Sequence, residues 1–171
     1  MTVGITGIDH KLGSAIANSF YSVVSLNENL DGLFGCDIFV NNLAKGNLQL
    51  KLFDKVFTSW LTQPRTIVNI VSTVVFDDVN TLSSYGDTKI ELIDFINKTI
   101  KQYPDKQVRV INVYPSTLSS NKGFDNLNKV DIYTIARIIK IIVELPQEIE
   151  VRDISFYPTV LHKSFETDKL L

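Results

Sequence analysis

Asp37-Ile-Phe-Val-Asn41 holds three consecutive apolar side chains, Ile38, Phe39 and Val40, with no polar residue alternating between them. A strand with one wet face alternates; a strand buried on both faces does not, and that is the condition of a parallel sheet covered by helices on each side. The surrounding chain repeats the pattern. Thr2–Thr6, Ser22–Leu26, Thr66–Ser72 (Thr-Ile-Val-Asn-Ile-Val-Ser), Val108–Val113 and Asp153–Tyr157, the last stopped by Pro158, read as further strands. Leu12–Phe20, Leu48–Leu61, Ser83–Tyr103 and Asp131–Leu145 read as helices between them. Leu48, Leu52, Val56 and Trp60 form one stripe of the second helix, with Phe53, Phe57 and Leu61 beside it. The third helix ends before Pro104. This order predicts a single α/β domain with a doubly wound parallel sheet of about six strands, right-handed crossovers and helices on both faces. Segment 28–36 is short for a parallel crossover, which needs a dozen residues or more. Either the connection is unusually tight or one strand–helix unit is missing after the second strand.

A chain of 171 residues with 44% hydrophobic and 21% charged residues suits one globular core. A net charge of −2 gives no electrostatic case for nucleic acid or an anionic membrane, and Lys11, Lys45, Lys51 and Lys55 form no tight basic run. Cys36 alone excludes an intrachain disulfide and a cysteine-based zinc site, and reads as a small packed residue. No metal is expected from His10 and His162, which lie far apart. A strand-like start without a charged-then-apolar leader, and the lack of a long apolar stretch, make the cytoplasm the expected address. Asp131–Leu145 carries Ile132, Ile135, Ile138, Ile139, Ile141, Ile142, Val143 and Leu145. A helix apolar nearly all round is expected to meet another subunit on its far side, with cover by the C-terminal tail as the alternative.

Tyr85-Gly-Asp-Thr-Lys89 places a phenol and an ammonium one helical turn apart on one face. A neighbouring cation favours the phenolate, so Lys89 is expected to lower the Tyr85 pKa and make the pair an acid/base device. Around this pair stand four further segments. Thr6-Gly7-Ile-Asp-His-Lys-Leu-Gly13 follows the first strand, Asn41-Asn42 ends the third, Ser72 ends the fourth thirteen residues before Tyr85, and Pro115 follows the fifth.

In this order the chain resembles the short-chain dehydrogenase/reductase family over nearly its whole length, to about Pro158. The resemblance implies a Rossmann-type sheet, an NADP or NAD cofactor, and hydride transfer to or from a small carbonyl or alcohol. Ser72, Tyr85 and Lys89 match the family's active-site residues, and Asn47-Leu48, twenty-five residues before Ser72, matches its active-site Asn. The implied roles are substrate positioning for Ser72, proton transfer for Tyr85, ribose binding and tuning of Tyr85 for Lys89, and a water-held proton relay for Asn47. Thr6, Gly7, His10, Lys11, Leu12 and Gly13 would form the phosphate turn. Asn27 would stand at the adenosine end, Asn41 and Asn42 would bind the cofactor at the end of the third strand, and Pro115, Ser116 and Leu118 would line the nicotinamide side, with Thr117, Ser119 and Ser120 near the carboxamide. A homodimer or homotetramer follows from the same resemblance.

The chain departs from the pattern in places. Lys11 stands where the family has its middle glycine, or His10 does on the alignment with longer members. Asn27 replaces the acid of NAD-preferring members, which with His10 and Lys11 leans the reading towards NADP(H). The polar 117–130 stretch is a short substrate lid, suited to a small or open-bound substrate, and Asp77-Asp78 read as a solvated turn. The rival readings are a non-catalytic dinucleotide-sensing or scaffold relative, and a subunit that pads a hetero-oligomer. A scaffold has no physical need for Asn47, Ser72, Tyr85 and Lys89 together.

Overall fold

The computed structural model describes residues 1–43, 45–76, 84–119 and 129–158. Ser83, Asp77-Asp78, the 120–128 part of the lid segment and His162 lie outside the described residues. The strands are β1 (Val3–Thr6), β2 (Val23–Leu26), β3 (Ile38–Asn41), β4 (Thr66–Ile70), β5 (Arg109–Pro115) and β6 (Asp153–Phe156). The helices are α1 (Lys11–Ala17), α2 (Leu48–Trp60), α3 (Ser84–Gln102) and α4 (Ile132–Val143). All strand pairs are parallel, in the order β2-β1-β3-β4-β5-β6. The chain winds outward in both directions from β1 and β3, so their carboxyl ends flank the switch point at which open α/β sheets bind ligands.

Each central strand feeds both faces. Ile38 and Val40 pack with Leu12, Ile16, Ile135 and Ile139 under α1 and α4, while Phe39 packs with Phe53, Val56, Leu92 and Ile96 under α2 and α3. This two-sided burial is why the runs do not alternate. Elements end close to their expected bounds. The main shortening is α1, whose last turn tightens as Ser19 N–H bonds to Ile16 O and Phe20 N–H to Ala17 O. A 3₁₀ turn over Thr73–Phe76, after Ser72, was not legible in the sequence. In α4, Tyr133 and Ile141 are exposed, whereas Ile138 and Leu145 pack partly against the chain's own core.

The β2–β3 link is both tight and without the strand–helix unit: a 3₁₀ turn alone lies between the two strands. Asn27 Oδ1 accepts from the amides of Asn29 and Asp31 at 3.0 and 3.3 Å, turning the chain at once. Leu30 and Gly32 have φ of 65° and 92°, and a 3₁₀ turn spans Leu33–Gly35. Leu30 and Cys36 are buried against the sheet with Leu26 and Phe39, covering it where a helix would otherwise lie.

One row of polar side chains crosses the buried sheet. Asn41, Asn69, Asn112 and Asp153 occupy paired positions on β3, β4, β5 and β6. Asn41 Nδ2 donates to Asn69 Oδ1 at 3.2 Å, Asn69 Nδ2 to Asn112 Oδ1 at 3.1 Å, and Asn112 Nδ2 to Asp153 Oδ1 at 3.1 Å. Tyr114 also donates its hydroxyl to Asp153, at 2.7 Å. Burial, followed by that carboxylate, pushes the Tyr114 pKa up.

Arg109, at the start of β5, is 4% exposed. Its guanidinium donates to the carbonyls of Val143, Leu145, Pro146 and Ile149 and to Thr66 Oγ1. It thereby closes the C-terminal end of α4, where orphan carbonyls and the helix dipole favour a cation. Arg109→Met orphans those carbonyls, and urea denaturation is expected to show a loss of about 3 kcal/mol. A loss under about 0.5 kcal/mol, the scale of ordinary surface changes, would contradict this role.

Candidate active site

Thr6 ends β1 with its Oγ1 donating to Val40 O at 3.3 Å and accepting from Asn42 N–H at 3.1 Å. Gly7 then turns the chain with φ of 65°. Asn42 Nδ2 holds the Gly7 carbonyl at 3.0 Å, tying the turn to the end of β3. A Cβ on Gly13 would lie 2.3 Å from Gly7 O, so this position admits no side chain while α1 keeps its seat on the turn. The two retained glycines therefore have backbone reasons, and His10 and Lys11 are presented from the turn they shape.

A cleft of about 810 Å³ opens over the carboxyl ends of the strands. His10, Lys11 and Leu12 line it after β1, Asn42 after β3, Ile70 to Val74 after β4, Pro115 to Leu118 after β5, and Tyr157 after β6. Tyr85 and Lys89 enter from the first turns of α3. The sequence thus places Ser72, Tyr85, Lys89, His10, Lys11, Leu12, Asn42, Pro115, Ser116 and Leu118 on one cavity. Thr6, Gly7 and Gly13 support it from behind. Asn41 is committed to the polar row. Asn27 holds the β2–β3 turn and donates from Nδ2 to Asp31 Oδ2 at 2.8 Å.

Asn47 is not brought to the group. It precedes α2, is exposed, and makes no capping bond through its side chain. The helix residue that reaches Lys89 is Gln49, 3% exposed, whose Oε1 accepts from Lys89 Nζ at 2.5 Å. Gln49 lies on the buried stripe of α2 with Leu52, Phe53, Val56, Phe57 and Trp60. A lone amide at the head of that apolar stripe was the available signal; following the stripe from Leu48 instead missed it.

Ser72 and Tyr85 line the same cleft. The expected lowering of the Tyr85 pKa by Lys89 is not met. Burial pushes the phenol up, and the influence of the Ser72 hydroxyl pulls it down less. The residue keeps 45% of its surface, so the net push is modest. The reason is where the cation sits. Lys89 Nζ lies over the ring face, 5.3 Å from its centroid, and is bonded to Gln49 Oε1 and to Ile70 O at 3.1 Å.

Lys89 is 3% exposed, and burial lowers its pKa from 10.5 to about 8. Between those values the unfolded chain binds a proton that the folded chain does not, so Lys89 makes stability rise with pH across that window. Below it, the full penalty of the buried ammonium remains. Side-chain NMR of Lys89 should show a midpoint of about 8. The alkaline gain in urea midpoint should vanish in Lys89→Met, and a midpoint near 10.5 would refute the assignment.

No family model matches this sequence, and no curated protein matches it. The fold does have close solved counterparts. A short-chain dehydrogenase/reductase from Vibrio parahaemolyticus superposes with a TM-score of 0.75 at 16% identity, covering 92% of this chain and 100% of that one. Serine dehydrogenase from Escherichia coli gives 0.73 at 17%, covering 92% and 98%. An alcohol dehydrogenase from Thermococcus sibiricus, solved with 5-hydroxy-NADP, gives 0.74 at 16%, covering 91% and 96%. At such identities the likeness is one of architecture: this chain has the fold of the short-chain dehydrogenase/reductases.

Proposed function

We propose that the chain is an NAD(P)-dependent oxidoreductase of the short-chain dehydrogenase/reductase type, acting on a small carbonyl or alcohol. The observation that carries this reading is the meeting of Ser72, Tyr85 and Lys89 in one cleft at the sheet's switch point. The fit to a dinucleotide rests on the glycine turn, where a Cβ on Gly13 would meet the Gly7 carbonyl and Gly7 holds a φ of 65° that disfavours any side chain. Residues 1–171 would then act as one dinucleotide-binding unit.

When bound, the nicotinamide would supply or accept the hydride. The chain's own part is positional and protonic. Ser72 would donate to the substrate oxygen, and the Tyr85 hydroxyl, on the same cleft, would serve the same atom. In reduction Tyr85 gives its proton to that oxygen; in oxidation it takes one back. Lys89 presents an N–H towards the cofactor ribose. Pro115, Ser116 and Leu118 wall the nicotinamide side, and His10 and Lys11 the phosphate side.

The lean towards NADP(H) rests on the neutral Asn27 and on His10 and Lys11. The Asp31 carboxylate, bonded to Asn27, opposes it by repelling a 2′-phosphate. Cytoplasmic action as a homodimer or homotetramer completes the reading, with Tyr133 and Ile141 as exposed apolar positions on α4. The second reading, a relative that binds a dinucleotide without turning it over, draws on Lys11 at the middle-glycine position.

Titration with NADPH and NADH tests the proposal. Trp60 is buried beneath Arg65 and does not line the cleft, so the reporter is the cofactor's own fluorescence. Saturation below about 1 mM by one of them is expected, and binding of neither removes the reading. Tyr85→Phe should keep the affinity within about twofold and lower kcat a hundredfold or more, on the order of general acid/base contributions. Unchanged turnover would reject Tyr85 as the proton donor.

A further inference from the structure

We propose that Gln49 is the positioning residue of Lys89, holding the amine at a fixed place between the sheet and the cleft through a neutral acceptor. The geometry is independent of the oxidoreductase reading; only the consequence for turnover rests on it.

The orientation of the Gln49 amide is determined by its neighbours. Nε2 donates to Asn41 O and to Ile70 O, each at 2.7 Å. Both partners are backbone carbonyls, which only accept. A flipped amide would face two carbonyl oxygens with a third, so the NH₂ must point at the sheet and Oε1 must point away from it. Oε1 then meets Lys89 Nζ at 2.5 Å. The two carbonyls belong to neighbouring strand ends, β3 and β4. One side chain thus references the amine on α3 to two strands and to α2.

The amine is left with a defined free direction. Of its three donor sites, one goes to Gln49 Oε1 and one to Ile70 O, leaving one. Lys89 lines the main cleft, and also a second cavity of about 300 Å³ between the starts of α2 and α3. The third N–H is the one available to a hydroxyl of a cleft ligand.

The neutrality of the acceptor matters. No carboxylate contributes to the Lys89 pKa shift, which comes from burial alone. Around Nζ stand the Tyr85 ring from its own helix, the Gln49 amide from α2 and the Ile70 carbonyl from β4. A glutamate at position 49 would pair with the ammonium and hold its proton. The amide orients the group and leaves it able to lose that proton near neutral pH. An amide also does not relay protons, so exchange at Lys89 takes place on its remaining side.

Three measurements test this. In the unmodified protein, both Gln49 side-chain amide protons should exchange slowly with solvent, because both are donated to buried carbonyls; fast exchange of either overturns the geometry without any variant. In Gln49→Glu and in Gln49→Met, checked for folding by circular dichroism, the Lys89 midpoint should move in opposite directions. The glutamate should raise it towards 10.5 and the methionine lower it, each by about one unit or more. A midpoint unmoved in both variants overturns the proposal. Turnover in Gln49→Met should fall at least tenfold, with the pH profile shifted alongside the Lys89 titration. A wild type without turnover, whose Lys89 midpoint still responds to position 49, would reject the enzyme reading and leave the positioning role standing.

Discussion

Three buried asparagines, Asn41, Asn69 and Asn112, have to satisfy one another and the exposed Asp153 at the sheet edge, and the relative level of the β3, β4, β5 and β6 ends follows from that. Each unpaired buried amide would cost about 1–3 kcal/mol. A one-residue slip of β4 against β3 would set Asn41 opposite Val68 or Ile70 and turn alternate side chains to the wrong face. The apolar residues tolerate such slips in kind, because Val and Ile occur on both faces; the asparagines do not. Site residues are counted from the same row. Asn42 is the next residue after Asn41, Ser72 stands three beyond Asn69, and Pro115 three beyond Asn112. Their heights at the cleft are therefore set by a network whose members do not line it.

The row also has a direction. Asp153 only accepts, so Asn112 must turn its NH₂ to it and receive from Asn69 on its oxygen, and so on back to Asn41. The first member then donates twice, to Asn69 Oδ1 and to Gln49 O at 2.8 Å. Its own Oδ1 is left as the unpartnered buried side-chain atom among the described residues. The orphan is a consequence of the carboxylate at the far edge. It lies beside Gln49, so the polar row runs without a break into the contact that holds Lys89.

The architecture was legible because two-sided burial writes itself into a strand as an unbroken apolar run, and Asp37-Ile-Phe-Val-Asn41 needs no partner to be read. The row was not. Asn69 and Asn112 sit inside such runs, but their pairing exists only once the register does. Tyr85, Lys89 and Ser72 were legible as a group through order and spacing, since a helix turn and a strand end fix where they emerge. Asn47 was read from its resemblance to the family's helix-opening Asn and its distance from Ser72, and Gln49 was not considered. Two positions along a helix are a rotation of about 200°, enough to exchange solvent for the core. The Tyr85 pKa was misread for a related reason: sequence separation gives proximity of a cation, not whether it faces the hydroxyl or the ring.

Lys89 and Arg109 show what decides between structural and chemical use of a buried cation. Both are nearly inaccessible, and in both the hydrogen bonds go to neutral oxygens with no carboxylate among them. Burial lowers the pKa of each. Arginine starts so high that it stays charged whatever its surroundings, and four carbonyls at the end of α4 make it a permanent cap. Lysine starts lower and is brought to about 8. The same kind of environment therefore yields a fixed charge at the closed end of the sheet and a labile one at the open end. The residue type, not the degree of burial, separates the group that holds the fold from the group that can exchange a proton.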